Sequence, residues 1–487
     1  MTRLNLGALT GLPEGTGPLV DPRSLGTRIV HLGPGAFHRA HQAVHTEQAE
    51  ALHGGGWGIV GFSQRGRGVV GQLAPQDGLY SLTLRTPDGP RTRVVGQLRE
   101  ALHAADDADR LRALLASPRV TVVTLTVTEK GYRRAPGGGL DATDPLVAAD
   151  LAGAPVPGSV PGQLAHGLRA RRVVCGAPLN VVPCDNMADN GQVAVSYTHL
   201  DVYKRQVVAR LVREFVQASG WDDRDTLLAW IDEAVAFPST VVDRIVPATT
   251  DADRDAASVA LGVRDEAAVT GEPFTQWVLQ DAFAADRPRW EDTGALLVPD
   301  VAPYQVMKLR LLNGGHTLLS CLGLADGRGT VADAMTAPWA EPVLRAYAAE
   351  VAGSLPAGLD VDGYVDGLVA RFANPAMRHR LRQIATDGSL KVPERWLAPL
   401  RELRAAGHAT PALVTAVAAW ARHTRDERLD DPAAERLRAA WQGPADRGVP
   451  ALLTVLGAED LAGDRHFVAE VRERLAALDA HGAAASI

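Results

Sequence analysis

The stretch from Arg28 to Leu52, RIVHLGPGAFHRAHQAVHTEQAEAL, decides the fold of the first half of the chain. It begins with a short apolar run, turns at Gly33-Pro34-Gly35 and continues in a helical pattern. A strand, a glycine turn and a helix open a dinucleotide-binding fold, in which the backbone can approach the pyrophosphate and the helix N-terminus favours its charge. The third glycine of GxGxxG would fall at His38, so a tight turn before an ordinary helix explains this motif equally well.

Two later strands complete the predicted nucleotide site. WGIVGF, Trp57 to Phe62, should end in an acidic residue that binds the ribose of NAD, but residues 63–67 read SQRGR. Arg65 could instead bind a 2′-phosphate, so NADP is possible, and a solvated arginine is the alternative. VTVVTLTVTEKGY, residues 120–132, is apolar and β-branched like a buried parallel strand. It places Thr128 and Glu129 at the carboxyl end of the sheet, where ligands of such sheets bind.

His38, His41 and His45 recur at helical spacing and raise the question of a metal. No matching group of cysteines, histidines or carboxylates completes a ligand set, so packing or phosphate-facing roles are expected and a metal is not.

The composition is that of a globular protein with two or three domains. The chain has 487 residues, of which 46% are hydrophobic and 22% charged, and its net charge is −7. Neither these values nor the N-terminal sequence indicates a nucleic-acid partner, a membrane partner or a signal peptide. Three cysteines without CxxC spacing fit a reducing cytoplasm.

The order of the patterns predicts two domains. Residues 1–300 alternate strand-like and helical runs, which is typical of a parallel α/β sheet. Residues 301–487 read as helical, with apolar stripes that place Trp420 and Trp441 in a core. The predicted fold is therefore α/β, with a Rossmann-type dinucleotide-binding domain followed by a mainly α-helical domain.

Residues 195–206, VSYTHLDVYKRQ, differ from the chain around them and hold two of the seven tyrosines. Their codons can be written as a string that is almost its own reverse complement, like two facing copies of the transposase end used in sequencing libraries. We interpret the segment as an assembly artefact, with a genuine loop insertion as the alternative. Without it, the flanking segments would join into one amphipathic helix.

MKLRLLNGGH, Met307 to His316, contains one of four lysines in a chain with 50 lysines and arginines. Lysine can lose its proton when buried and arginine cannot, which makes Lys308 a candidate general base, although a GC-rich genome would also favour arginine. On an α-helix, Lys308, Asn313 and His316 would lie within about 140° of arc and could face one cavity. Alcohol oxidation needs a base and donors to the alkoxide while hydride goes to nicotinamide. Three unrelated polar residues on a helix are the alternative.

Seven stretches together resemble the long-chain, zinc-independent mannitol dehydrogenase family. In chain order they are IVHLGPGAFHRAHQA, LTVTEKGY, PCDNMADNG, FPSTVVDRIVP, EPFTQWVLQDAFAADRPRWE, MKLRLLNGGH and DGSLKVP. The resemblance covers nearly the whole chain, and it implies a substrate bound between the two domains and a monomer or weak oligomer.

The resemblance also assigns roles to individual residues. Lys308 would be the general acid/base, and Asn186 and Asn313 would stabilise the oxyanion. Substrate contacts would come from His316, Lys391 and Asp243. The nucleotide, NAD or NADP, would be bound by the glycine turn, that is by Gly33, Gly35, Ala36 and Phe37, together with Arg65, Thr128 and Glu129.

Two departures and one substrate preference follow from the comparison of motifs. One departure is the missing acid after the second strand, which leaves the choice between NAD and NADP open. Many members carry an acid three residues before the lysine, whereas this chain has Gln305, which puts any proton route through that acid in doubt. TEKGY and RHRLRQIATDGSLKVP look more like the fructuronate reductase (D-mannonate oxidoreductase) branch. The second stretch carries Arg378, Arg380 and Arg382, cations that suit a carboxylate, with a solvated helix face as the alternative. The expected substrate is therefore a keto-uronate. Mannitol/fructose is the second candidate and a phosphorylated polyol the third. A non-catalytic nucleotide-binding paralogue is the alternative to an enzyme.

Overall fold

The computed structural model describes residues 1–185, 207–444 and 446–486. They form two compact units, one of residues 1–185 and 207–301 and the other of residues 302–486. Asn186 and residues 195–206 lie outside the described ranges. No helix in the described part of the chain is long and apolar enough to cross a membrane.

The first unit contains twelve strands and nine α-helices among the described residues, besides short 3-10 turns. The strands are β1 (Thr27–Leu32), β2 (Gly58–Ser63), β3 (Tyr80–Thr86), β4 (Gly89–Val95), β5 (Leu98–His103), β6 (Val122–Leu125), β7 (Leu179–Pro183), β8 (Val235–Ala236), β9 (Thr240–Asp243), β10 (Val269–Gly271), β11 (Gln276–Gln280) and β12 (Leu296–Val298). The helices are α1 (Ala36–Ala40), α2 (Gln42–His53), α3 (Gly68–Leu73), α4 (Ala108–Ala116), α5 (Pro145–Leu151), α6 (Val160–Val174), α7 (Val207–Ala218), α8 (Arg224–Ala234) and α9 (Asp251–Leu261).

The main sheet has the order β5-β2-β1-β6-β7-β8, and each neighbouring pair is parallel. Numbered by their succession within this sheet, the strands run 3-2-1-4-5-6, which is the order of dinucleotide-binding folds. The predicted Rossmann-type α/β domain is confirmed. Two three-stranded sheets, β10-β3-β4 and β12-β11-β9, complete the unit.

The strands of the main sheet are apolar because both of their faces are covered. Ile29 and Val30 are adjacent in β1, yet they belong to different hydrophobic clusters. Val30 packs in the cluster that contains Leu164 of α6 and Phe215 of α7, whereas Ile29 packs in the cluster that contains Ala43 of α2. A parallel sheet covered on both sides requires such continuous apolar runs.

The regular elements among the described residues of the second unit are all helices, and one isolated β-bridge joins Thr330 to Arg380. Its helices are α10 (Ala302–Met307), α11 (Gly314–Ala325), α12 (Val331–Met335), α13 (Ala340–Ala352), α14 (Val361–Phe372), α15 (Leu381–Ile384), α16 (Gly388–Val392), α17 (Ala398–Ala405), α18 (Pro411–His423), α19 (Ala434–Ala440), α20 (Gly448–Val455), α21 (Glu459–Gly463) and α22 (Arg465–His481). Two π-helical segments interrupt them, Lys308–Asn313 and Pro393–Leu397. Trp420 is buried in the core and Trp441 packs against it, as predicted.

Candidate functional site

The glycine turn after β1 lies at the point where the order of the main sheet changes direction. Gly33 follows β1 with φ of 96°, and a Cβ there would lie 2.3 Å from the backbone oxygen of Thr126, just after β6. Only glycine therefore fits at this position. Gly35 caps α1, which begins at Ala36, and Phe37 follows in its first turn. The sequence prediction of a strand, a glycine turn and a helix is confirmed, and this crevice is where such folds bind nucleotides.

His38, which replaces the third glycine of the fingerprint, packs directly against the first strand. Its ring stacks on that of His31 in β1, with centroids 3.4 Å apart and planes inclined by 15°. Burial lowers the pKa of His38 well below its usual value, and it lowers the pKa of His31 to about 3. Two neutral rings can stack without charge repulsion, so a histidine pair makes the helix–strand contact that a glycine makes in the standard motif.

The helix after the glycine turn is not continuous, contrary to the sequence prediction. His41 leaves the helical conformation at φ −126° and ψ −87°, and it separates α1 from α2. The His41 Nε2 lies 2.8 Å from the backbone oxygen of Gln276, and the two ring nitrogens of His45 lie near the hydroxyls of Thr293 and Thr275. These contacts give both histidines packing roles. No group of three metal-binding side chains occurs within the described ranges.

Arg65 and Thr128 meet at the carboxyl end of the sheet, beyond β2 and β6. The Arg65 guanidinium is exposed and donates to the Thr128 hydroxyl. Arg67, two residues on, is instead paired with Asp106 through its Nε at 2.6 Å. Of these two arginines, Arg65 is therefore the one that is available to a ligand. The side chain of Glu129 lies outside the part that the structure describes.

A buried carboxyl group that the sequence analysis missed lies after β7. The Tyr132 hydroxyl donates to the Asp185 carboxylate, which joins the TEKGY turn to the CDN stretch. Burial raises the pKa of Asp185 to about 8, and the bond from Tyr132 opposes this shift. Asp243 is also buried, at the end of β9. TEKGY and the CDN stretch were both recognised as motifs, and this was the available signal for Asp185. Nothing in the sequence indicated that the two motifs are in contact.

In the second unit, Lys308 begins a π-helical turn that ends at Asn313, and His316 lies in the first turn of α11. Lys308 and His316 are buried, with 6% and 8% of their surfaces exposed. The three residues therefore lie on one continuous helical segment, but the α-helical arc predicted between them is wrong. A π-turn has i→i+5 hydrogen bonds, which widen the helix, and such turns are frequent at functional sites.

Side chains from other segments hydrogen-bond to backbone oxygens around the π-turn. The Tyr347 hydroxyl donates to the Arg310 oxygen at 2.6 Å, and the Trp396 indole donates to the Gly314 oxygen at 3.3 Å. A Cβ at Gly314 would lie 2.0 Å from the Tyr347 hydroxyl oxygen. Gly314, the first glycine of the LLNGGH motif, thus allows α13 to approach and stabilise the turn.

His316 lies among cations and aromatic rings. It stacks on Phe372 with centroids 4.1 Å apart and meets His379 edge to face at 5.2 Å. Burial, followed by the electrostatic effects of the neighbouring His379, Arg371 and Arg395, lowers its pKa well below the usual value. His316 is therefore a neutral imidazole at physiological pH.

Arg395, which the sequence analysis did not select, lies in the second π-helical segment. Its Nη1 donates to the Thr317 hydroxyl at 2.6 Å and to the Asn313 backbone oxygen at 3.2 Å. Lys391 lies nearby: burial, and then the charge of Arg395, lowers its pKa. Arg395 follows the DGSLKVP stretch by two residues, so proximity to that motif was the only sequence signal for it.

Two of the other predicted substrate cations, Lys391 and Arg382, have protein partners. The Lys391 ammonium donates to the Thr386 backbone oxygen at 2.5 Å. Arg382 pairs with Asp426 at 3.2 Å and is 39% exposed, and Arg378 and Arg380 are exposed. A substrate would have to compete with Asp426 for Arg382, whose substrate role stays a prediction.

Two family models cover most of the chain. The mannitol dehydrogenase Rossmann domain matches residues 27–292, and the mannitol dehydrogenase C-terminal domain matches residues 300–479. The chain belongs to the mannitol dehydrogenase family. Members of the family that resemble it include the D-mannonate oxidoreductase of Escherichia coli (strain K12), which is 38% identical over 93% of each chain.

Two solved structures align with all of the chain. A substrate-free D-sorbitol dehydrogenase is 29% identical, with 100% of its chain covered and a TM-score of 0.87. A Pseudomonas fluorescens mannitol 2-dehydrogenase in a ternary complex with NAD and D-mannitol is 32% identical, with 98% of its chain covered and a TM-score of 0.77. The present protein is accordingly a mannitol dehydrogenase family oxidoreductase, a secondary-alcohol dehydrogenase.

Proposed function

We propose that the protein interconverts a keto-uronate and its secondary alcohol, with D-fructuronate and D-mannonate as the favoured pair. The single observation that carries the mechanism is the buried Lys308 at the start of a π-turn that ends in Asn313. During reduction, Lys308 gives its proton to the carbonyl oxygen as hydride reaches the carbon. During oxidation it takes the hydroxyl proton.

Other side chains would stabilise and orient the reacting groups. The amides of Asn313 and Asn186 would donate to the oxygen as negative charge develops on it. A neutral His316 can donate one hydrogen bond to a substrate hydroxyl, which fits an orienting role. Asp243, Lys391 and Arg382 remain proposed substrate contacts.

The glycine turn of the first unit fits a nicotinamide dinucleotide. Gly33 and Gly35 leave the backbone open to the pyrophosphate, with Ala36, Phe37, Thr128 and Glu129 as further proposed contacts. When bound, the reduced cofactor supplies the hydride. NAD is the proposed cofactor, and NADP is the second possibility because Ser63 to Arg67 lacks an acid and Arg65 is exposed.

Two observations support the keto-uronate. The D-mannonate oxidoreductase of E. coli is among the relatives, and the cations around His316 would suit an acidic sugar. Mannitol/fructose is the second candidate, because the structure with NAD and D-mannitol aligns with the whole chain. A phosphorylated polyol is third. The retained Lys308, Asn186, Asn313 and His316 count against a non-catalytic paralogue.

We also propose a cytoplasmic protein that is a monomer or weak oligomer and binds a small sugar acid, ketose or sugar alcohol. All three cysteines, Cys175, Cys184 and Cys321, lie in the described ranges and are unpaired, which suits a reducing compartment.

Steady-state reduction tests the proposal. D-Fructuronate, D-fructose and D-fructose 6-phosphate would each be assayed with NADH and NADPH, using the full chain and a chain lacking residues 195–206. The highest kcat/KM is expected for D-fructuronate, and the NADPH/NADH ratio should fall in Arg65→Ala but not in Arg67→Ala. Preference for fructose would identify a mannitol dehydrogenase and refute the keto-uronate proposal.

Replacing Lys308 tests the mechanism. Lys308→Ala should lower kcat by about 10²- to 10⁴-fold, because a general acid/base has been removed. Lys308→Arg should be equally impaired, since arginine keeps its proton. NADH binding, followed by fluorescence, should persist in both variants. Arg345→Ala, a half-exposed arginine on α13, is the matched surface control. Near-normal turnover in Lys308→Ala would refute the assignment.

A further inference from the structure

One edge of the Arg395 guanidinium is held by the protein and the other is unused. The Nη1 donates to both Thr317 and Asn313, whereas Nε and Nη2 make no hydrogen bond with a described residue. No carboxylate of the described residues forms an ion pair with Arg395. A partly buried charge without a hydrogen-bonded counter-ion is unfavourable, and the nearby Glu394 does not offset its burial, so this arrangement points to a ligand that supplies a paired anion.

Arg395 keeps its positive charge despite its burial. Burial lowers the pKa of Arg395 to about 10, while the nearby Tyr347 and Glu394 act in the opposite direction. Arg395 is therefore a cation at neutral pH. Its Nε and Nη2 present two parallel N–H donors, a geometry that matches the two oxygens of a carboxylate.

Two imidazoles with unused nitrogens lie near this guanidinium: His316 is close enough to feel its charge, and His379 contacts the His316 ring. The His316 Nε2 and the His379 Nδ1 are buried, and neither has a hydrogen-bond partner within the described ranges. Both rings are neutral, because burial lowers the pKa of each. A neutral imidazole can donate a hydrogen bond without adding a competing charge. Buried polar atoms without a partner are few in native proteins, so each of these two nitrogens calls for an explanation, such as a bound ligand.

We propose that the free edge of Arg395 binds the carboxylate of a sugar-acid substrate, with His379 as a neighbouring donor, and so selects sugar acids over uncharged sugars. This rests on the proposed function, since it assumes that the carbonyl of the same substrate lies at Lys308 and Asn313. The Asn313 backbone oxygen accepts a hydrogen bond from Arg395, so Asn313 links the carboxylate end of this site to the carbonyl end. A phosphate ester can pair with the same two donors, so D-fructose 6-phosphate is the competing ligand in the test.

The decisive quantity is the ratio of kcat/KM for D-fructuronate to that for D-fructose, measured with NADH on the full chain. Arg395→Met should lower this ratio by about 30-fold or more, as expected when two hydrogen bonds to a charged group are lost. Arg395→Lys keeps the charge but not the paired donors and should give an intermediate ratio. His379→Asn should lower the ratio less than Arg395→Met does.

Arg404→Met is the matched control. Arg404 is also a partly buried arginine of the second unit, and its Nε donates to the Thr410 hydroxyl at 2.9 Å. Arg404→Met should lower the stability of the protein, as Arg395→Met does, yet keep the wild-type ratio of kcat/KM for the two sugars. Equal losses for both sugars in Arg395→Met would overturn the proposal and leave Arg395 a structural residue. A selective loss for D-fructose 6-phosphate would overturn it in favour of a phosphate site.

A binding measurement separates this proposal from the proposed reaction. Calorimetric titration with D-mannonate and with D-mannitol needs no turnover. Weaker D-mannonate binding in Arg395→Met, with D-mannitol binding retained, supports the carboxylate site even if Lys308→Ala refutes the lysine mechanism. D-Mannonate binding that is the same in Arg395→Met and the wild-type protein overturns the carboxylate site whatever the outcome for Lys308.

Discussion

Arg395 and Asn313 are 82 residues apart in the chain and are joined by a hydrogen bond from the guanidinium to the backbone oxygen, 3.2 Å long. The bond connects two π-helical segments, one that begins with Lys308 and one that contains Arg395. Because π-turns leave carbonyls with irregular hydrogen bonding, each turn needs partners from outside the helix. The proposed carboxylate-binding residue is therefore bonded directly to the segment that begins with the proposed base.

Thr317→Val tests this coupling. The Thr317 hydroxyl accepts from Arg395 at 2.6 Å and donates to the Asn313 oxygen at 2.9 Å. Removing it should lower the free energy of unfolding by about 1–2 kcal/mol and raise KM, because Arg395 loses one anchor. Denaturant unfolding and steady-state kinetics measure the two effects.

Thr415→Val provides the control for Thr317→Val. Thr415 is equally buried and donates to a backbone oxygen four residues earlier, Pro411, also at 2.9 Å, but it has no arginine partner. It should cost less stability and leave KM unchanged. An equal rise in KM for both variants would show that Thr317 has no special role in positioning Arg395.

Gly314→Ala tests the close approach of α13 to the π-turn. An added Cβ would lie 2.0 Å from the Tyr347 hydroxyl oxygen and 3.0 Å from its Cζ. Overpacking of this kind should lower the free energy of unfolding by about 1–3 kcal/mol. The double variant Gly314→Ala/Tyr347→Phe should recover part of the loss, because it removes the nearest atom.

Gly367→Ala is the control for the glycine substitution. Gly367 lies inside α14, and a Cβ there would meet nothing within 4 Å. Alanine at this position should raise the free energy of unfolding by about 0.4–1 kcal/mol, since it restricts the unfolded chain without a clash. If Gly314→Ala were equally stabilising, the close contact with Tyr347 would not constrain that position.

The sequence predicted the main sheet and its glycine turn because both have local signatures. The apolar runs of β1, β2 and β6 follow from burial on two faces, and Gly33 marks a backbone position that other residues cannot adopt. The π-turn at Lys308 has no such signature, since α- and π-helical segments use the same residue types. The role of Arg395 depends on a contact with Thr317 across 78 residues. Nothing in the local sequence distinguished it from Arg382, which pairs with Asp426 instead.

Deleting residues 195–206 tests the interpretation of that segment as an artefact. The deletion joins GQVA, residues 191–194, to α7 and should raise soluble yield or melting temperature, because the apolar stripe of one amphipathic helix would become continuous. Replacing the twelve residues by a Gly/Ser segment of equal length is the control and should give no such gain. Loss of soluble protein or of activity on deletion would instead identify a genuine insertion.

Asp185→Asn tests the buried carboxyl group that meets Tyr132. The pKa of Asp185 is raised by burial to about 8, so the folded protein holds a proton there that the unfolded chain has already released. Its contribution to stability is complete at low pH and is lost progressively as the pH rises from about 4 to 8. Asparagine resembles the protonated acid and cannot ionise. The difference in unfolding free energy, variant minus wild type, should therefore increase by at least about 1 kcal/mol between pH 5 and pH 8.

Urea unfolding of the full chain at pH 5, 6.5 and 8 measures the effect of Asp185→Asn. Asp109→Asn is the control: its carboxyl group is 93% exposed, so its difference from wild type should be nearly constant over this range. Groups such as His31, whose pKa is lowered, act on both proteins alike and cancel in the difference. Parallel stability curves for Asp185→Asn and wild type would mean that Asp185 is already ionised at pH 5. Tyr132 would then donate to a buried, negatively charged carboxylate. The residue that precedes Asn186 in the sequence would be ionised and not protonated.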